Sequence, residues 1–167
     1  MNHDVDKARQ VPAIEPVTRR IIPDWTDYND HLNVTWITYL FDQGTDNLLD
    51  ALQIGAAYAA RTGFSTFALG AHVSYLSEAR LGEDVEVHST LVGVDAKRIK
   101  YRHKLIAADD SRVIALLEQV SMHVDLGARR SAHWPLDVRA RLANRVDPNV
   151  SAPLCDGLPL KSEVGHD

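Results

Sequence analysis

Apolar residues recur at helical spacing in one long stretch of the chain and at alternate positions in several others. Between residues 34 and 52, Trp36, Ile37, Leu40, Phe41, Leu48, Ala51 and Leu52 fall near i, i+4, i+8 and i+12, the period of a helix with one buried stripe. Asn33 stands where an N-cap is expected, because its short side chain can accept from an orphan amide of the first turn. Gly44 costs about 1 kcal/mol relative to alanine inside a helix, so its presence predicts close packing against a flat partner such as a sheet. Residues 54–62 predict a short second helix ended by Gly63.

Four long strands are predicted in succession, at 64–77, 84–95, 98–108 and 113–125. The turn signals Leu81-Gly82-Glu83-Asp84, Asp95-Ala96-Lys97 and Asp109-Asp110-Ser111 separate them and predict an antiparallel meander. Val85, Val87 and Leu91 alternate with Glu86, His88 and Thr90, and Ile99, Tyr101, His103 and Leu105 alternate with Arg98, Lys100, Arg102 and Lys104. One face of the sheet is therefore expected to be buried and the other wet. Residues 14–22, rich in β-branched side chains and stopped by Pro23, predict a strand ahead of the long helix. A last amphipathic helix is expected from 133 to about 145, with Leu136, Val138 and Leu142 among its arginines.

One strand, one long helix and four consecutive strands make an α+β fold in which the helix lies across a curved antiparallel sheet. Residues 1–12 are too polar to offset the cost of ordering and are expected to be disordered; the domain is expected over 13–146, followed by a Pro-containing tail at 147–167. Long strand edges need cover or pairing, so a homodimer or a dimer of dimers is expected.

Composition narrows the function. With 167 residues, 45% of them apolar, the chain has the material for one well-buried domain. A net charge of −5 argues against a broad nucleic-acid surface. No apolar run reaches the roughly 18 residues of a membrane span, and no secretory leader is evident. The single cysteine, Cys155, has no partner for an internal disulfide, which fits a reducing cytoplasm. Eight histidines are scattered without metal-ligand spacing, so neither a metal nor another cofactor is expected.

The segment Asp24-Trp25-Thr26-Asp27-Tyr28-Asn29-Asp30-His31-Leu32-Asn33 is where the sequence departs from ordinary scaffold. It crowds three carboxylates, a histidine and two aromatics into a loop just ahead of a helix start. That start offers unpaired amides and a partial positive charge, suited to a developing oxyanion. A carboxylate beside it can act as base or nucleophile toward a carbonyl carbon. The structural alternative is that Asp24, Asp27 and Asp30 merely form turns and caps.

These residues resemble the hotdog-fold thioesterases of the 4-hydroxybenzoyl-CoA thioesterase-like family, whose hallmark is similar to Asp-x-Asp-x-x-Gly-His-x-Asn before a long central helix. Within it, the stretch 24–31 resembles the Asp-Trp-x-Asp-Tyr-Asn-Gly-His of the betainyl-CoA thioesterases of carnitine catabolism. Gly70-Ala71-His72-Val73-Ser74-Tyr75-Leu76 and Glu118-Gln119-Val120-Ser121-Met122-His123-Val124-Asp125 extend the resemblance, which covers roughly residues 14 to 145. It implies a hotdog fold and hydrolysis of a small acyl-CoA to free acid and CoA. Asp27 matches the catalytic carboxylate, His31 the motif histidine, and Val34 the helix start that lends a backbone N–H to the thioester oxygen. Asp30 replaces the usual glycine, where a side chain would limit ligand approach and, turned toward Asp27, would raise one apparent pKa of the pair.

Trp25, Tyr28, Trp36 and Tyr39 cluster around the loop, where aromatic faces could hold a quaternary ammonium with Asp30 as counter-charge; the competing reading makes Trp36 and Tyr39 ordinary helix packing. Asn33 and His72 join the expected substrate lining, His72 being equally readable as a buried structural histidine. Arg98, Lys100 and Arg102, with Lys97 and Lys104, could grip CoA phosphates or simply form a charged outer face. The other class of function is a catalytically silent hotdog module that binds acyl-CoA or a protein.

Overall fold

The structure, a computed structural model, describes residues 11–150. The expected disordered N-terminus, apart from its last two residues, and the tail beyond 150 with Cys155 lie outside the described residues. Strand β1 (Val17–Arg20) leads through a single 3-10 turn, Pro23–Trp25, to α1 (Val34–Ala51) and α2 (Ala56–Thr62). Four strands follow, β2 (Phe64–Tyr75), β3 (Asp84–Val94), β4 (Arg98–Ala107) and β5 (Val113–Asp125), then the short β6 (Arg130–Ser131) and α3 (Leu136–Ala143). The element types match the hydrophobic periods; β1 is shorter than the predicted 14–22.

The sheet is antiparallel, in the order β1-β3-β4-β5-β2, with β6 added to the end of β5. Helix α1 lies against it, burying Ile37, Leu40, Phe41, Gly44 and Leu48. The close approach expected at Gly44 is present: a Cβ there would come 2.6 Å from Val87 Cγ1, nearer than real side chains tolerate. Beneath it His103, fully buried, bridges Ser89 Oγ through Nδ1 at 2.8 Å and Thr45 Oγ1 through Nε2 at 2.9 Å. Burial without a counter-charge lowers its pKa to about 3, so the ring is neutral.

Two expectations are corrected. The meander holds for β3-β4-β5, but β2 pairs with β5 at the far edge and not with β3. The reason lies in residues 76–83, which do not reverse: Leu76 and Ser77 bond the Ile114 carbonyl, Leu32 bonds Ala79, and Ile21 bonds Glu83. The connection thus crosses the end of the sheet beside the acidic loop. The outer face is also not uniformly wet, because Lys100 and Glu118 are buried there, 5% and 1% exposed. Glu118 is opposite Arg102 in register and accepts from its guanidinium, so the charges neutralise one another inside the face.

Candidate active site

The acidic loop folds as a miniature hairpin. Thr26 and Leu32 form a bridge, Asp27 N–H donates to the His31 carbonyl at 2.9 Å, and Asp30 N–H donates to the Asp27 carbonyl at 3.1 Å. Asp30 takes φ 60°, a left-handed conformation that glycine adopts freely and Asp tolerates better than most residues. The backbone that a glycine would give is thus kept, with a side chain added on an exposed turn. Leu32 N–H to Ala79 O at 2.8 Å and Asn33 N–H to Trp25 O at 2.9 Å fasten the hairpin to the crossing segment and to the 3-10 turn.

The turn aims backbone donors at one carboxylate. Asp27 Oδ1 accepts from Asn29 N–H at 2.8 Å and from His31 N–H at 3.3 Å. The Asn29 amide bond holds the Asp27 pKa below the ordinary carboxylate value, against a smaller opposing effect of burial and with further help from His31. Asp27 is therefore ionised at neutral pH.

The hairpin that carries this carboxylate runs directly into the start of α1. Asn33 caps it, its side chain accepting from Thr35 N–H at 2.9 Å, while its carbonyl accepts from Trp36 and Ile37. Val34 N–H has no protein acceptor among the described residues. The positive end of the helix is left with an open donor at an exposed residue, which suits an oxyanion. His31 Nε2 lies 3.1 Å from Glu78 Oε2, a partner that fixes the ring. Glu78 was not legible beforehand, since its distant segment is brought here by the His31–Arg80 bridge and by the Leu32–Ala79 and Leu81–Asp30 backbone bonds. The Asn29 amide was missed for a similar reason: a backbone donor leaves no mark in side-chain composition.

The aromatic residues are brought together, but not as an open box. Trp25 and Trp36 stack with centroids 5.2 Å apart, and Tyr39 packs edge-on at 6.0 and 5.4 Å. Tyr28 stands apart from them, 96% exposed at the loop tip. His72 is exposed in the middle of β2, within 3.2 Å of Ser74 Oγ and in register with Glu118. Arg98 is tied to Asp95 at 2.7 Å, and Lys100 and Arg102 to Glu118, so these three cations serve carboxylates of their own chain.

Comparison with known proteins agrees with this architecture. The profile of the thioesterase-like superfamily matches residues 21–142. A betainyl-CoA thioesterase of Pseudomonas aeruginosa is 32% identical over 83% of this chain and 87% of its own. An L-carnitine dehydrogenase/betainyl-CoA thioesterase of Rhizobium meliloti is 30% identical over 84% of this chain, which spans 28% of that longer protein. Among solved structures, one from Pseudomonas putida KT2440 is 33% identical, with a TM-score of 0.70 over 92% of this chain and 99% of that one. A Staphylococcus aureus protein solved in complex with CoA shares the fold at 19% identity, with a TM-score of 0.77 over 91% of this chain and 96% of that one.

Proposed function

Because the chain belongs to the thioesterase-like superfamily, we propose that it hydrolyses acyl-CoA thioesters, with Asp27 as the reacting carboxylate and betainyl-CoA as the substrate. The observation that carries the mechanism is an ionised carboxylate, held by two amides, beside the open N-terminus of α1. Asp27 takes a proton from water as the water oxygen bonds to the thioester carbon. The carbonyl oxygen becomes an oxyanion against Val34 N–H, a donor of the kind worth about 3 kcal/mol in the transition state. Collapse breaks the carbon–sulfur bond, and the departing thiolate is protonated from Asp27. The same atoms support direct attack by Asp27, in which a mixed anhydride is then cleaved by water. His31, set by Glu78, positions the loop around the carboxylate.

The substrate proposal rests on the named relatives and on the aromatic surface. Trp25 and Trp36 occupy each other's faces, so the trimethylammonium would meet the partly exposed ring of Tyr39 and the free ring of Tyr28, with Asp30 as its counter-charge. Measuring thiol release from betainyl-CoA against its uncharged tert-butylacetyl isostere tests this. A preference for the cation of about tenfold or more is expected. Equal rates would remove the cation site, and no release from any acyl-CoA would leave a silent acyl-CoA-binding module.

We also propose a homodimer formed through β2, over a domain of residues 13–146. β2 is a sheet edge of 12 residues with no Lys, Arg, Asp, Glu or Pro, and it exposes Phe67 and Leu69. The opposite edge, β1, is four residues long and ends in Arg19 and Arg20, which guard it against pairing. No helix among the described residues is long and apolar enough to cross a membrane. With a lone cysteine and a CoA thioester as substrate, the cytoplasm is the compartment we assign.

A further inference from the structure

The loop that holds Asp27 leans on the crossing segment between β2 and β3. Leu32 N–H donates to Ala79 O at 2.8 Å, Leu81 N–H donates to Asp30 O at 3.3 Å, and His31 Nε2 meets Glu78 Oε2 at 3.1 Å. Residues 78–81 have no helix or strand of their own beyond the isolated bridge at Arg80, so their place must be fixed from elsewhere. Arg112 supplies the hold. It follows the turn at 109–111 that precedes β5, and its backbone is pinned there: its N–H donates to Asp110 Oδ1 at 2.9 Å, and its carbonyl accepts from Ala107 N–H at 2.9 Å.

From that base the guanidinium reaches both ends of the crossing segment. Nη1 donates to the Glu78 carbonyl and to Ser77 Oγ at 3.4 Å, Nη2 donates to Glu83 Oε2 at 3.0 Å, and Nε donates to Asp110 Oδ2 at 3.3 Å. Ser77 Oγ in turn donates to the Val113 carbonyl at 2.7 Å. A planar guanidinium presents its donors at fixed angles, so the group that spans Glu78 and Glu83 also sets their separation; a lysine ammonium on its flexible stem has no such fork. Glu83 and Asp110 balance the charge, which leaves the Glu78 carboxylate to His31. We propose that Arg112 is a positioning residue for the hydrolysis: by tying both ends of residues 78–83 it holds the Asp27 hairpin in place, and with it the Asn29 and His31 amides on the reacting carboxylate. It acts through Glu78 and Ala79, one layer of chain away from Asp27. Its part in the reaction rests on the thioesterase reading, whereas the hold on the loop stands without it.

Native-state hydrogen exchange of the Asn29 and His31 amides in the ligand-free protein tests the hold without needing turnover. The Leu105 amide, in the core, serves as the reference for global unfolding. Arg112→Gln should speed exchange of both loop amides about tenfold relative to that reference. It should also lower kcat for thiol release about tenfold or more, with a smaller change in KM. Arg112→Lys keeps the charge without the fork and should match Arg112→Gln. Glu83→Gln, which releases one end only, should act in the same direction by less, and it carries the test if Arg112→Gln does not fold. Unchanged loop exchange in a folded variant would overturn the proposal, as would full recovery by lysine. Faster loop exchange with kcat unchanged would overturn the positioning role. A wild type that releases no thiol, with variants that still loosen the two amides, would instead remove the thioesterase reading and leave the hold on the loop.

Discussion

Asp27 and Glu118 are both carboxylates placed by the turn and register of the same sheet-and-helix scaffold, yet they are prepared for opposite tasks. Glu118 is 1% exposed on the outer face, closed in by Arg102 and Lys100, so its charge is spent inside the protein. Asp27 is half-buried at the mouth of α1 and held by backbone amides, which fix its position and ionisation without neutralising it. The lesson is that the partners of an acid separate scaffold from chemistry. Cations that enclose a carboxylate stabilise the fold, whereas amides that leave it approachable prepare it to react.

Exchanging the two losses gives the largest expected effects. Asp27→Asn should lower kcat for thiol release about a thousandfold while leaving the melting temperature near that of the wild type. Glu118→Ala should do the reverse: it leaves two cations without their carboxylate and should cost about 3 kcal/mol in equilibrium unfolding. If Glu118→Ala abolished turnover in a stable protein, the division of labour between the two acids would fail.

Acid should reach the interior before it reaches the loop. His103 has a folded pKa of about 3 against 6.5 when unfolded, so the unfolded chain binds the extra proton between these values. Stability from this group is complete above pH 6.5 and falls as pH is lowered, by about 5 kcal/mol near pH 3. Urea unfolding across that range should show the loss, and His103→Gln should flatten it. The smallest effect is expected at Asp30→Gly. Removal of a side chain from φ 60° should raise stability by about 1 kcal/mol or less, while the preference for betainyl-CoA over its uncharged isostere falls.

Much of this was legible in the sequence, for reasons that particular residues make plain. The period from Trp36 to Leu52 reports one buried face, and Gly44 reports a close approach that Val87 supplies. Asn33 was readable as a cap because capping is local chemistry. Strand order was less accessible, since Leu81-Gly82 signals a turn whether or not the flanking strands are neighbours; β2 finds β5 only through the whole sheet. Alternating charge in β4 implied a wet face because the sequence hides Glu118, 16 residues beyond Arg102, as its partner.

In the mechanism proposed above, thioester cleavage runs on an ionised, amide-held Asp27. The pH dependence of kcat/KM for thiol release from betainyl-CoA by the wild-type protein tests it most directly. Because Asp27 lies below the ordinary carboxylate pKa of 3.8, its reactive form is complete throughout the neutral and mildly acidic range. A flat profile is expected from about pH 8 to pH 5, with any loss from this group confined to more acidic solution. A break near about pH 6.5, in the imidazole range, or no thiol release at any pH, would contradict it.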